Sequence, residues 1–277
     1  MRTFLALTKR HIKVFFKDKG LFFSSLITPI ILLVLYSTFL AKVYKDSFIQ
    51  GLGGFEIDEK LIDGTVAAQL FSSLLAVSCV TVAFCSNLIM IQDKVSGVRS
   101  DFVVTPVKKS AMALSYFTAS LLSTLIVSFT ATVACFIYIL IKDCWYMSFA
   151  DVILIIADVV LLTTFGTALS SIVNVFLTTN GQAQAVGTIV SAGYGFLCGA
   201  YMPISSFASG LQNVLMFLPG TYGTSLIRNH ALNGAFAEME SVGFPPEVMN
   251  GIKESIDCRL SFFGTNVEQW VMYLVLI

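Results

Sequence analysis

The chain has 277 residues, 56% of them hydrophobic and only 12% charged, with 17 basic and 17 acidic groups cancelling and a mean hydropathy of +0.82. A soluble domain carries roughly 25% charged residues, so this composition excludes a soluble globular enzyme. Zero net charge gives no indication of a nucleic-acid partner, and the charges that exist are confined to short stretches between long apolar runs.

The first twenty residues mix basic and aromatic side chains and lack the pattern of a secretory signal. Placed on a helical wheel, Val14, Leu7, His11, Phe4, Phe15, Ile12, Leu5 and Phe16 fall in one arc of about 200°. Arg2, Lys9, Arg10, Lys13 and Lys17 fill the opposite side. This predicts a helix lying in the membrane interface, with aromatics such as Phe15 at the acyl boundary and basic groups among lipid headgroups. Lys19-Gly20 then turns the chain into a first span, where Pro29 is expected to kink the helix.

A bilayer core of ~30 Å takes about 20 apolar residues of helix. Spans are predicted over 21–41, 65–91, 110–141, 152–177 and 183–201, within a single transmembrane domain. A sixth apolar run starts near Val267 and reaches Ile277. Its shortness reads as the start of a sixth span that is cut off.

Lys and Arg set the orientation. The 42–64 loop offsets Lys42, Lys45 and Lys60 with Asp46, Glu56, Asp58, Glu59 and Asp63, whereas Lys94, Arg99, Lys108 and Lys109 crowd the loop between spans two and three. The amino terminus is therefore expected in the cytoplasm. That second cytoplasmic segment, 92–109, is either a plain loop or a docking element. Gly97 permits a turn, Pro106 ends any helix, and a short helix over 98–104 would put Val98, Phe102 and Val103 on one side, away from Arg99 and Asp101.

The fifth region is broken. Gly193, Gly195 and Gly199 thin the span before Pro203 stops it, and two apolar stretches, 207–218 and 221–232, follow on either side of Pro219-Gly220. Each is too short to cross and too apolar for a free loop, which predicts a re-entrant helical hairpin over 202–232 and an external loop over 233–266.

Among single residues, Asp158 stands inside the fourth run, where an ionisable group is costly unless paired or wet; it either binds a cation or proton or sits near the interface. Arg228 either pairs within the hairpin or touches cargo. Six cysteines show no CxxC spacing, so no metal or redox motif is supported, and a disulfide is open only to Cys144 and Cys258. No phosphate-loop motif occurs, so ATP has no recognised site in the chain.

These features together resemble a family. The basic amphipathic amino-terminal helix, the segment Gln92-Asp93-Lys94-Val95-Ser96-Gly97 followed by Thr105-Pro106, the exit Gly199–Pro203 and the run Pro219, Tyr222, Arg228 are similar to the membrane permease subunit of type 2 ATP-binding-cassette exporters, which include bacterial drug, polysaccharide and peptide exporters. The resemblance covers essentially the whole chain. It implies an all-α, six-span bundle with a re-entrant hairpin, in a bacterial inner or plasma membrane, assembled as a dimer with an identical or related permease.

It further implies that 92–105 forms a coupling helix seated on a separate cytoplasmic ATPase, which would carry the ATP and magnesium. Asp93, Lys94, Gly97, Val98, Arg99, Phe102 and Pro106 are the residues assigned to that contact; Asp93 keeps the charge where relatives often carry glutamate. Spans two and five would face the dimer axis, placing Ser72, Leu75, Cys79 and Val82 with Thr188, Ser191 and Gly195 along the route. Their apolar and hydroxyl character suggests an amphiphilic or lipid-linked cargo. The competing readings are a secondary transporter, or a membrane scaffold or immunity protein that moves nothing.

Overall fold

Helix boundaries follow the polar residues that punctuate the apolar runs. In the computed structural model, which describes residues 2–51, 58–105 and 107–277, α1 (Arg2–Lys17) ends at Asp18, whose carboxylate accepts a hydrogen bond from the Leu21 amide and starts α2 (Lys19–Leu35). The expected sites Glu56 and Pro106 lie outside the described residues. The helix runs through Pro29 to Leu35, and the irregularity in this span is a π-helical turn over Tyr36–Leu40 before α3 (Ala41–Gly51).

Asp58 caps α4 (Glu59–Asn87), which continues after a turn at Leu88 into α5 (Ile89–Val95). Gly97, at φ +83°, takes the left-handed conformation that lets the chain bend into α6 (Val98–Val103). The long α7 (Lys109–Ile141) and α8 (Phe149–Phe176) follow, α8 opened by a reciprocal cap between Ser148 and Asp151. Thr179 and Gln182 cap α9 (Asn180–Leu197) in the same way. Beyond a short 3-10 turn, Ile204–Ser206, come α10 (Ser209–Leu215), α11 (Pro219–Ser241) and α12 (Pro246–Ser255). Strands β1 (Leu260–Phe262) and β2 (Thr265–Val267) pair antiparallel, and α13 (Gln269–Leu276) closes the described chain.

Among the described residues four helical runs are long and apolar enough to cross a membrane: Lys19–Asp46, Glu59–Val95, Lys109–Ile141 and Phe149–Phe176. The expected fifth span, α9, is 18 residues long but opens on Asn180, Gln182 and Gln184, and α13 has only 8 residues. Two expectations change. The stretch 221–232 is the front of a 23-residue helix, α11, that runs on to Ser241 and is buried along most of its length. The 233–266 segment, expected as an external loop, carries the end of α11, α12 and a short β-hairpin within a chain that is otherwise helical, as expected of an all-α membrane protein.

Helix α4 is the axis, buried on all sides and packed against α2, α7, α8 and α11. Its hydroxyls turn back on its own carbonyls: Ser72, Ser78 and Thr81 donate to Gln69, Leu74 and Val77. Close approach needs small residues. A Cβ on Gly166 of α8 would stand 3.0 Å from the Val80 Cα of α4, so glycine sets that crossing. The outward faces of α2, α7 and α8 remain apolar, with Ile27, Ile30, Ile126, Val133, Ile153 and Ile172 all exposed. Such faces suit lipid rather than water, and the protein is a multi-pass membrane protein.

The two ends of the bundle are distinct. Lys60 pairs with Asp143 at one end (2.6 Å), while at the other Lys94 donates to the Leu177 carbonyl (2.8 Å) and Arg10 meets Asp93.

Candidate functional site

The segment joining the second and third long spans is tied down from three sides. Asp93, buried on the last turn of α5, receives both terminal nitrogens of Arg10 from α1, at 2.6 and 2.9 Å, and the Tyr116 hydroxyl of α7 at 2.7 Å. Those bonds hold the Arg10 guanidinium's pKa above its ordinary value, against the cost of partial burial. The Phe102 ring of α6 lies under the same guanidinium, 5.3 Å away. His11 stacks on Tyr116 with ring centroids 4.0 Å apart, and burial lowers its pKa to about 4, helped by the Arg10 charge. Lys94, one residue on, closes the C-terminal carbonyls of α8 at Leu177 and Val175.

So Asp93, Lys94 and Phe102 face inward as anchors. Val98 is half-buried, whereas Arg99, Asp101, Val103 and Val104 of the same short element point outward, and Val104 is 86% exposed. The two expected faces of α6 are thus divided differently: Phe102 and Val103 do not share one side.

The amino-terminal helix uses its apolar stripe more fully than an interfacial helix would. Leu7, Thr8, His11 and Phe15 are buried, with α1 laid along α7, and Leu5 and Phe16 flank that contact in the open. Arg10 leaves the basic face to reach Asp93, while Lys9, Lys13 and Lys17 stay on the outside, lining a shallow basic depression with Asp18.

A lateral groove of about 1020 Å³ runs between α2 and α9. Asp18, Gln92, Asn180 and Gln184 line one end; Ile27, Ile31, Leu32 and Leu35 the middle; Tyr36, Phe196 and Tyr201 the other. Of the residues assigned to a route, Thr188 and Ser191 line this groove. Gly195 lies under the Tyr201 ring, which occupies the space a Cβ would need. Ser72, Leu75, Cys79 and Val82 are fully buried inside the chain on α4, away from the groove.

The broken region is organised by two buried polar centres. Arg228 on α11 donates to the carbonyls of Ile256 (2.7 Å) and Gly199 (3.0 Å) and to Ser73 Oγ (2.9 Å), and stands 3.4 Å from Asp257. Asp257 in turn accepts from the amides of Ile204 (2.7 Å) and Ser205 (3.3 Å), just beyond Pro203. Burial raises the Asp257 pKa, with the Arg228 charge pulling against it. Tyr222 donates to the Met216 carbonyl at 2.6 Å, clipping the turn that ends in Pro219.

Asp158 of α8 accepts from the Tyr273 hydroxyl of α13 (2.9 Å) and contacts His230 Nδ1 of α11 (2.6 Å); about two turns earlier on α8, Asp151 accepts from Asn233 (2.9 Å). Sequence reasoning singled out Asp158 and Arg228 but gave no partners. His230, Tyr273, Asp257 and Tyr116 carry no local pattern that marks them, since each pairs across 23 to 115 residues.

Among the described residues no cluster suited to a metal ion occurs, and all six cysteines, including Cys144 and Cys258, are free thiols. Comparison with known proteins yields no matching curated protein and no matching solved structure. It does yield a family: the model of the ABC-2 type transporter family matches residues 2–231, from α1 through the buried ionic positions of α11. On that match the chain belongs to the ABC-2 type transporter family.

Proposed function

We propose that the chain is the membrane subunit of an exporter whose ATPase is a separate cytoplasmic protein, with α6 as the surface that the ATPase engages. Membership of the ABC-2 type family supports a transmembrane transporter subunit and implies a partner ATPase in general. The observation that carries the finer reading is the tie of Asp93 to Arg10 and Tyr116, with Phe102 of α6 packed on the same guanidinium. A push on α6 reaches α1 and α7 through Arg10 and Tyr116, and α8 through Lys94. The same element leaves Arg99, Val103 and Val104 free for a partner.

In this reading the amino terminus and α6 lie in the cytoplasm, α9 provides the fifth crossing, and the α10–α11 pair is the re-entrant unit. A second permease copy completes the assembly. The groove between α2 and α9, polar at the α1 end and apolar along its length, is the place for an amphiphilic cargo drawn sideways from the lipid. ATP and magnesium belong to the partner subunit.

The test is co-purification of the chain with cytoplasmic ATPases from the same source, followed by ATP hydrolysis in lipid nanodiscs. Val104→Asp on the free face should abolish the complex. Arg10→Ala should leave the complex intact yet lower cargo-stimulated hydrolysis. A complex that is indifferent to Val104→Asp overturns the assignment of α6. A buried Asp158–His230 pair favours one second reading, proton-coupled transport; an uncoupler that stops export while ATP is held constant would select it.

A further inference from the structure

Tertiary packing divides the apolar arc of α1 in two. Leu7, His11 and Phe15 are buried against the bundle, whereas Leu5, Ile12 and Phe16, within about 40° of one another on the helical wheel, are left beside that contact, with Leu5 and Phe16 exposed. Lys9 and Lys13 come next round the helix, and Lys13 is the i, i+3 neighbour of Phe16. Lys9, Lys13 and Lys17 are exposed and make no ion pair among the described residues. Residues 2–17 hold no Asp or Glu, Arg10 is spent on Asp93, and the Asp18 carboxylate accepts from the Leu21 amide. Three like charges therefore follow one another at four-residue spacing, where they repel, along an exposed apolar stripe. An anion shared between them removes that repulsion.

A second feature begins at Phe16. A lateral groove of about 360 Å³ runs from it between α2 and α7, which both pack on α4 and are both long and apolar enough to cross a membrane. Buried Leu74 and Ser78 of α4 form its floor, and Ile30, Leu33 and Ile126, each at least half exposed, its rim. Its two hydroxyls, Ser78 and Thr130, donate to the Leu74 and Ile126 carbonyls of their own helices at 2.6 and 2.7 Å, so neither calls for a further partner. From Ile126 to Cys135 the α7 wall is about 14 Å long at the helical rise. An apolar slot that opens sideways between membrane spans meets hydrocarbon rather than water.

We propose that Lys9, Lys13 and Lys17 of α1 and the groove between α2 and α7 form one binding site for an anionic phospholipid, with its phosphate on the row of ammonium groups and an acyl chain laid past Phe16 into the groove. The two halves together select this ligand. A zwitterionic phospholipid fits the groove but brings a cation to the lysines, and free phosphate fits the lysines but leaves the groove empty. The site lies in the leaflet on the α1 side and joins α1 to two spans. It shares no lining residue with the groove between α2 and α9, which lies on another face of α2, so it stands apart from the cargo and ATPase assignments.

The test is lipid retention. The full chain, immobilised in neutral detergent, is equilibrated with phosphatidylglycerol, phosphatidylcholine or glycerol 1-phosphate, and bound ligand is counted by mass spectrometry. Phosphatidylglycerol should be held about tenfold more tightly than phosphatidylcholine, and glycerol 1-phosphate not retained. K9Q/K13Q/K17Q should bring phosphatidylglycerol down to the phosphatidylcholine level, while K9R/K13R/K17R should keep the preference. Ala134→Phe, at an exposed position lining the groove, should weaken both lipids. Equal retention of the two lipids overturns the proposal, as does a preference that survives the glutamine variant. Lipid retention untouched by Ala134→Phe, or tight retention of glycerol 1-phosphate, also overturns it, because the chain then lies elsewhere or is not needed. If the glutamine variant does not fold, salt applies the same criterion to the native chain: the preference should vanish between about 0.1 and 1 M, as the screening length shrinks from about 10 to 3 Å, and a preference that persists overturns the site.

Discussion

The guanidinium of Arg10 and the carboxylate of Asp93, 83 residues apart, face each other through two parallel hydrogen bonds of 2.6 and 2.9 Å. The fork geometry is the one arginine makes with carboxylates and lysine cannot. Tyr116 and Phe102 complete the contact, so four helices meet at one buried acidic group.

Loosening that contact should be measurable apart from any transport. Arg10→Lys keeps the charge but loses the second bond, and Asp93→Asn keeps the shape but loses the charge. In a double-mutant cycle read by thermal unfolding in nanodiscs, the two sites should couple by about 1–3 kcal/mol. Additive effects would mean the pair contributes no joint stability.

His11 makes the docking of α1 sensitive to acid. Its pKa falls from the ordinary 6.5 to about 4 because burial against Tyr116 disfavours the imidazolium. Between those values the unfolded helix binds a proton that the docked helix does not. The contribution of His11 is therefore complete above pH 6.5 and declines as pH falls toward 4. Proteolysis or amide exchange of α1 should accelerate over that window, and His11→Phe should remove the acceleration.

Asp158 is the shared acceptor of α8, α11 and α13. Asp158→Ala strands His230 and Tyr273 in a buried site, which should cost about 3–5 kcal/mol of stability in a lipid-reconstituted unfolding assay. Replacing the three together with Leu, Leu and Phe should recover most of the loss, because no polar group then lacks a partner.

Gly234 on α11 passes directly over the Tyr146 carbonyl, and any Cβ there would overlap that oxygen. Gly234→Ala should destabilise the chain by about 3 kcal/mol. Gly210→Ala, at an open position on α10, should leave the melting temperature nearly unchanged.

The sequence by itself determined the membrane class, the amino-terminal helix, the edges of the third and fourth long spans within two or three residues, and the turn at Gly97. Each depends on local signals: apolar length, a 3.6-residue period, or a glycine able to take positive φ. It also pointed to the Pro203–Arg228 region as special, because proline and glycine interrupt apolar runs there. The length of α11 was not legible, since its second half, from Asn233 to Ser241, is polar enough to read as loop and becomes helical by packing against α4 and α8. Likewise the sequence could mark Asp158 as a costly charge, and single out Asp93 and Arg228, without naming what satisfies them. A buried charge must find a partner, but nothing local dictates which distant residue provides it. Only the tertiary structure chose Arg10 and Tyr116 for Asp93, His230 and Tyr273 for Asp158, and Asp257 with two backbone carbonyls for Arg228.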